Sequence, residues 1–252
     1  MDSAILPDIS LSEVDFHETS FFQTPTSTSP IPQLPTPPEV LSARQYTYQY
    51  VIKFEDRNLV VKFGRPPAVD LEEALALRAA KHAFPNNEVH VPELYGWRVL
   101  DGQNFIYMSR ISGSTLQDAS QSLSYLRREG VNLGPACSSF TRVKPFLGFL
   151  SRNDLLSHTE ISFQIHATST FTHGDLNRGN IIISGTPGLR KIVGIVDWEQ
   201  AGRYPDYWEY CKALIAEPYD EEWRAAHWVE IAVQCYDDEW TAFSEYWSWR
   251  CP

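Results

Sequence analysis

Short apolar runs separated by polar turns form the main hydrophobic pattern in the first half of the chain. Alternating and β-branched residues predict strands at Tyr46–Phe54 and Leu59–Phe63. A helix is predicted over Val69–Arg78, where alanines and leucines alternate with charged residues. Residues 91–113 predict two further strands, joined by a turn at Asp101-Gly102. This part of the chain is therefore expected to be a small antiparallel sheet with one helix.

The second half begins with a hairpin pattern and continues as helices. The run Ile181–Ile183 predicts a buried strand, and Lys191–Val196 predicts a second strand returning beside it. A helix is predicted at Asp206–Glu217, with Pro205 at or near its first turn. Amphipathic helices rich in tryptophan are expected over residues 221–250.

The stretch between these halves has a weaker pattern. Helices are predicted at Thr115–Arg128 and Phe146–Leu156. Ser157–Thr170 is rich in serine and threonine, whose hydroxyls compete with helical hydrogen bonds.

Residues 1–40 are rich in proline, serine and threonine. Such a composition buries too little apolar surface to offset chain entropy, so a disordered tail is predicted. The sequence Pro32-Gln33-Leu34-Pro35 fits a P-x-x-P pattern that could bind an SH3-like groove, although a plain linker is the favoured interpretation.

Composition excludes several functional classes. The 252 residues are 43% hydrophobic and carry a net charge of -11, which argues against nucleic acid as a partner. The sequence contains no apolar run long enough to span a membrane and no recognisable signal peptide, so no membrane association is expected. The four cysteines lack metal-binding spacing and are typical of reduced thiols in a cytoplasmic protein.

Residues 171–199 carry the clearest chemistry. Asp175 begins a polar loop that Asn180 ends, and the predicted hairpin returns Asp197 towards Asn180. An amide oxygen and a carboxylate suit Mg²⁺, which prefers hard oxygen ligands together with substrate phosphates. Asp175 is then placed to accept a proton from an incoming hydroxyl. Each residue alone could be a turn former or helix cap, but the joint spacing favours a metal–nucleotide site.

Lys62 lies inside a predicted strand, and Glu73 lies in the helix that follows. Lys62 could simply face solvent, and Glu73, like Glu72, could be a first-turn residue favoured by the helix dipole. A strand lysine followed by a helix glutamate is also the pair that kinases use to hold the α- and β-phosphates.

The sequences HGDLNRGN and GIVDWEQAGRYPDYWE closely resemble the aminoglycoside phosphotransferase/choline kinase family of small-molecule kinases. The resemblance is strongest over residues 171–212. It implies an α+β, bilobal, protein-kinase-like fold with a β-rich N-lobe (41–112) and a mostly helical C-lobe (113–252). The region before the catalytic loop looks shortened relative to the family, which puts the acceptor pocket in question.

The resemblance also implies roles for individual residues. Asp175 and His173 would be the catalytic pair, with Asp175 as the base and His173 bracing the loop, while Asn180 and Asp197 would hold Mg²⁺.

Lys62 and Glu73 would serve the phosphates of ATP, with Glu73 matching the family glutamate better than Glu72. The family's inter-lobe linker matches Met108, Ser109 and Ile111, whose backbone would bond the adenine edge.

The expected reaction is transfer of the ATP γ-phosphoryl group to a hydroxyl of a small molecule, with Mg²⁺ as cofactor. The alternatives are a catalytically degraded kinase-like binding or scaffold protein and a protein kinase; the lack of an A-P-E segment argues against the latter. The resemblance also makes an amino sugar or choline-like amine a candidate acceptor, since carboxylates of the C-lobe often meet cationic acceptors in the family. In this chain the C-lobe carboxylates either form a solvated surface or attract such a cation; they are Asp206, Glu209, Glu217, Asp220, Glu221, Glu222, Asp237, Asp238 and Glu239.

Overall fold

A computed structural model of the chain describes residues 7–23, 32–84, 90–119, 169–185, 190–216, 229 and 233–250. The chain divides into two compact units, Met1–Ile111 and Ser112–Pro252. Strands and helices both contribute to the described residues, so the predicted α+β class is confirmed.

The first unit is built on a five-stranded antiparallel sheet with the order β1-β4-β5-β3-β2. Its strands are β1 (Glu13–Asp15), β2 (Val51–Phe54), β3 (Leu59–Gly64), β4 (Leu94–Leu100) and β5 (Gln103–Ser109). Among the described residues of this unit, two α-helices accompany the sheet, α1 (Pro37–Ser42) and α2 (Glu72–Ala83), and a single 3-10 turn lies at Glu55–Arg57.

The hairpin between β4 and β5 forms where the sequence predicts it. Asp101 and Gly102 both have positive φ, at 51° and 71°. A two-residue turn with this backbone matches the right-handed twist of paired strands. The first predicted strand is shorter than expected, because Tyr46, Tyr48 and Tyr50 precede β2 and are 72%, 84% and 47% exposed.

The prediction of a disordered tail over residues 1–40 is wrong for the described part of that range. Phe22, Leu34 and Val40 are buried in one cluster with the sheet residues Val61 and Phe105. Within the P-x-x-P sequence Leu34 and Pro35 are buried, whereas Gln33 is exposed. Composition averaged over the tail conceals these separated apolar side chains, each of which is buried by contact with distant strands.

The strand β1 is held to β4 by backbone pairing and by charge. Arg98 on β4 lies 2.7 Å from Asp15 and 3.1 Å from Glu13, both on β1. The Arg98 guanidinium also lies over the Tyr107 ring, 5.7 Å from its centre. Burial raises the pKa of the Tyr107 hydroxyl. Residues 13–15 are therefore an edge strand of the sheet rather than part of a tail.

The second unit contains two small described sheets. One has the order β6-β8-β9 and the other pairs β10 with β7, all antiparallel. The strands are β6 (Ser114–Thr115), β7 (Ser169–Thr172), β8 (Ile181–Ser184), β9 (Lys191–Ile195) and β10 (Gly202–Pro205). The predicted hairpin is confirmed as β8 and β9.

Two helices of the second unit are described, α3 (Trp208–Ala216) and α4 (Asp237–Arg250). Helix α3 begins later than predicted, because Pro205 ends strand β10 instead of opening the helix. Cys211 lies in the core between α3 and α4, and burial raises the pKa of its thiol to about 12. The Tyr210 hydroxyl donates a 2.8 Å hydrogen bond to Asp237 at the start of α4.

Several sequence predictions lie outside the described residues. They include the helix at Phe146–Leu156, most of the helix at Thr115–Arg128, the shortened region over 120–168 and the acidic residues between 217 and 222. Residues 116–119 are helical up to the point where the description stops. Among the described helices, none is long and apolar enough to cross a membrane.

Candidate functional site

Lys62 and Glu73 form an ion pair inside the first unit. The Lys62 Nζ lies 2.8 Å from the Glu73 Oε2, and the two side chains are only 13% and 2% exposed. Lys62 comes from the middle of β3, and Glu73 from the first turn of α2. Because a buried charge is costly unless it is paired, this contact holds both side chains in one geometry. Lys62 does not point freely into solvent.

The choice between the two glutamates at the start of α2 is resolved by burial. Glu72 is exposed, and a hydrogen bond with Asp70 raises the pKa of its carboxyl. Glu73 faces the sheet and meets the lysine. The sequence-based preference for Glu73 over Glu72 is therefore supported by the geometry of unit one.

Three residues are predicted to contact the adenine, and they differ in burial and in backbone hydrogen bonding; they are Met108, Ser109 and Ile111. Met108 is buried on the same sheet face as Lys62, since it pairs with Val60, two residues before the lysine on β3. The prediction that Ser109 contacts the adenine is wrong for its N–H group. This group donates a 2.8 Å hydrogen bond to the Glu93 carbonyl, because strand β5 extends to Ser109.

The N–H group of Arg110 is also used, in a 3.0 Å hydrogen bond to Asn58. Ile111, which ends the first unit, is the residue of the predicted linker that follows these bonded positions. Ile111 is thus the better candidate for a backbone contact to an adenine edge.

In the second unit, Asp175 is held by two amide side chains. Asn177 donates 3.1 Å to the Asp175 carbonyl and 3.3 Å to its Oδ2. Asn180 donates 2.9 Å to the same carbonyl and 3.1 Å to the same Oδ2. Gly179 donates its N–H to the Asn177 amide oxygen at 2.8 Å, which closes the loop. The carboxylate therefore has a fixed orientation, and Asn177 is a contributor that the sequence analysis missed.

His173 joins the loop to the strand that precedes Asp197. Its Nδ1 accepts the Asp175 N–H at 3.3 Å, so its Nε2 carries the proton and donates to the Val196 carbonyl at 3.0 Å. The ring is fully buried and meets Trp198 edge-on, with 4.8 Å between centres. This geometry matches a residue that braces the loop, as the resemblance implies.

Glu209, on a helix that follows the loop in the sequence, also fixes the loop. This buried carboxylate on α3 accepts the Gly174 N–H at 3.0 Å and the Leu176 N–H at 3.3 Å. Gly174 has φ +77°, and a Cβ there would lie 2.4 Å from the Gln200 carbonyl oxygen. Both features hold the backbone on either side of Asp175.

The acceptor-binding interpretation is wrong for Glu209. The sequence analysis includes this residue among carboxylates that could attract a cation, whereas its oxygens are buried and bonded to loop backbone. Spacing within the sequence gives no signal for this bond, because the partners are 35 and 33 residues apart.

The β8–β9 hairpin brings Asn180 and Asp197 to the same end. Ile181 pairs with Ile195, and the Val196 N–H donates 2.9 Å to the Asn180 carbonyl, so Asp197 follows directly. Asp197 has φ +65°, a strained backbone for a residue other than glycine.

These residues fit a divalent cation. The Asn180 Nδ2 donates to Asp175, which leaves the side-chain amide oxygen Oδ1 as the ligand atom. A carboxylate oxygen of Glu199 lies within 4.8 Å of one from Asp197. Hard oxygen donors of this kind suit Mg²⁺.

Comparison with protein families finds a match to the phosphotransferase enzyme family over residues 153–246. Comparison with curated proteins finds no match. Among solved structures, the chain is similar to the aminoglycoside phosphotransferase APH(3'')-Id from Streptomyces rimosus, in complex with ADP and streptomycin. The identity is 16% and the TM-score 0.48, covering 75% of this chain and 85% of that one. Over residues 153–246, which include the loop at Asp175, the chain is therefore similar to the phosphotransferase enzyme family, in line with the resemblance that the residues around Asp175 carry.

Proposed function

We propose that the protein transfers the γ-phosphoryl group of ATP to a hydroxyl group of a small molecule. The observation that carries this proposal is the arrangement of Asp175, whose carboxylate is oriented by Asn177 and Asn180 on a loop anchored by Glu209. A fixed carboxylate beside a metal-binding amide is what a kinase requires at the acceptor hydroxyl.

Asp175 would accept the proton of the acceptor hydroxyl as the oxygen attacks phosphorus. Its orientation by neutral amides leaves its full charge for this task. Most of the rate enhancement in phosphoryl transfer comes from positioning and charge stabilisation, so a rigid loop is itself part of the catalyst.

Lys62 would contact the α- and β-phosphates. The Lys62 ammonium group is held 2.8 Å from the Glu73 carboxylate before nucleotide binds. Because the side chain is already ordered, binding the nucleotide costs less conformational entropy. Met108 would pack against the base and Ile111 would offer backbone groups to its edge.

Asn180 and Asp197 would hold Mg²⁺, with Glu199 as an adjacent carboxylate. When bound, the cation would supply positive charge that neutralises the phosphate oxygens as the γ-phosphoryl group moves. The strained backbone of Asp197 supports a functional position, since strain of this kind persists where the surroundings enforce it.

Thermal unfolding with and without MgATP tests the nucleotide site. Binding at a hundredfold excess over Kd is expected to stabilise the folded protein by about 2.7 kcal/mol. Asp197→Ala is expected to abolish the Mg²⁺-dependent part of that shift, while Asp238→Asn, an exposed charge removal on α4, serves as the matched control. Absence of any shift at millimolar MgATP in the wild type would exclude the site.

A second assay separates the alternatives. ATP-dependent phosphorylation of amino sugars, choline-like amines and neutral sugars tests the transferase activity directly. A protein that binds MgATP but phosphorylates no compound of this panel fits the degraded, binding-only alternative, and phosphorylation of a protein substrate would favour a protein kinase.

A further inference from the structure

Helix α2 is held on its outer side by the N-terminal segment, residues 7–23. The Arg78 guanidinium of α2 lies 4.1 Å from the centre of the Phe16 ring. Its Nη1 is 3.2 Å from the Glu18 Oε1. The Glu18 carboxylate is 65% exposed, so the ion pair alone is weak and the contact with the ring matters more.

Phe16 is itself fixed to the sheet. Its N–H donates 2.9 Å to the Tyr95 carbonyl, directly after the β1–β4 pairing ends. Its ring meets the fully buried Trp97 edge-on at 5.6 Å. The Trp97 indole N–H in turn donates 2.9 Å to the Leu11 carbonyl. Arg78 therefore contacts a ring whose position is set by β4.

The same helix carries Glu73, five residues before Arg78 in sequence and 2.8 Å from Lys62. In kinase-like proteins the glutamate helix must be in place for the lysine to be held on the phosphates. Any rotation or shift of α2 moves the carboxylate away from the lysine.

We propose that the N-terminal segment holds α2 in place through the contacts of Phe16 and Glu18 with Arg78. This placement keeps Glu73 beside Lys62, so that the lysine is ready to bind the nucleotide phosphates. The proposal builds on the proposed function. It makes Phe16 and Arg78 positioning residues that never contact the nucleotide. It also gives a use to a segment whose composition predicts only a tail.

Acylation of Lys62 in the protein without nucleotide tests the positioning. An amine-reactive acetylating reagent and peptide mass spectrometry give the rate at Lys62, with the exposed Lys53 on β2 as the internal reference. Arg78→Ala is expected to raise the Lys62 rate about two- to fivefold relative to Lys53, the change that the loss of one cation–π contact predicts. Phe16→Leu, which keeps an apolar side chain but removes the ring face, is expected to act in the same direction.

Two control variants separate positioning from general loss of stability. Val40→Ala removes a fully buried side chain from the cluster that includes Val61 and Phe105, to which neither Phe16 nor Trp97 belongs, and is expected to leave the Lys62 rate unchanged. Arg78→Lys keeps a positive charge over the Phe16 ring. The acylation rate of Lys62 in this variant is expected to stay closer to the wild-type rate than to the rate in Arg78→Ala. An unchanged Lys62 rate in Arg78→Ala, or an equal rise in Val40→Ala, would overturn the proposal.

The nucleotide readout follows separately. Arg78→Ala is expected to raise the Kd for MgATP by about the same factor of two to five, with kcat nearly unchanged, because the group on the acceptor hydroxyl is untouched. If the wild type fails to bind MgATP, the proposed function fails, while the Lys62 labelling rates still decide whether the segment positions α2.

Discussion

Around Asp175, each polar contact fixes either the carboxylate or the backbone that carries it. Asn177 and Asn180 orient the side chain, whereas His173 and Glu209 hold the main chain on each side. Such a site loses activity when the geometry loosens as well as when the reacting group is removed. Substitutions at Asp175 and Glu209 separate these two effects.

Asp175→Asn keeps the size and the hydrogen-bonding shape of the side chain but removes the base. Binding of MgATP is expected to stay within a few-fold of wild type, measured by thermal shift or calorimetry. The phosphotransfer rate is expected to fall by roughly 10²- to 10⁴-fold, the usual contribution of general base catalysis. Turnover close to wild type would show that Asp175 only shapes the loop.

Glu209→Gln tests the support of the loop. A glutamine replaces one of two acceptor oxygens by an NH₂ group, which then faces the Gly174 or Leu176 N–H. Because a buried donor is left unsatisfied, the free energy of unfolding is expected to fall by about 1–3 kcal/mol.

The kcat of Glu209→Gln is expected to fall further than its affinity for MgATP, because the loop positions the base. Glu245→Gln makes the same change at an exposed position on α4 and is the control. Equal stability of the Glu209→Gln variant and the wild type in urea unfolding would contradict the assigned hydrogen bonds.

At the scale of elements, the docking of β1 depends on a close approach of two backbones. A Cβ at Gly96 on β4 would lie 2.3 Å from the Val14 carbonyl oxygen on β1. Only a residue without a side chain permits the pairing of Asp15 with Gly96. The glycine therefore decides whether residues 13–15 can add to the sheet.

Gly96→Ala is expected to displace β1 and lower the free energy of unfolding by about 1–3 kcal/mol, the usual cost of overpacking. Hydrogen exchange should quicken at the Phe16 amide, which donates to the Tyr95 carbonyl in the intact sheet. Leu100→Ala at the exposed end of the same strand is the control. Unchanged exchange at Phe16 in Gly96→Ala would show that β1 tolerates the added methyl group.

Local chemistry explains which elements the sequence predicts well. The β4–β5 hairpin requires positive φ at two adjacent residues, and Asp101-Gly102 supplies it within the turn itself. The pairing of Lys62 with Glu73 and the approach of Asp197 to Asn180 follow from elements adjacent in the chain.

Contacts across long sequence separations were not predicted. Glu209 bonds to a loop 33 to 35 residues earlier, and Trp97 donates to a carbonyl 86 residues away. Hydrophobic periodicity and secondary-structure propensity describe residues that are neighbours in the sequence, so they carry no information on contacts between distant residues. The ordered N-terminal segment and the role of Glu209 were missed for this reason.

At the scale of the whole molecule, the excess of acidic residues gives a net charge of -11. A charge of this sign raises the local concentration of cations and disfavours polyanionic partners. Glu209 accepts hydrogen bonds from the loop around Asp175, and Asp237 accepts a hydrogen bond from Tyr210. We propose that the remaining acidic residues favour a cationic acceptor over a neutral one.

An amino sugar or choline-like amine is therefore expected to show an apparent affinity that weakens clearly between low salt and about 0.15 M ionic strength, where the screening length is about 8 Å. A neutral sugar of similar size should show almost no such change, because its attraction to the protein does not depend on charge. Initial-rate kinetics with both acceptors at matched MgATP give the comparison, and MgATP affinity measured at each salt concentration corrects for the nucleotide's own charge. A preferred acceptor that is neutral or anionic, or equal salt dependence for both compounds, would show that these carboxylates form only a solvated surface.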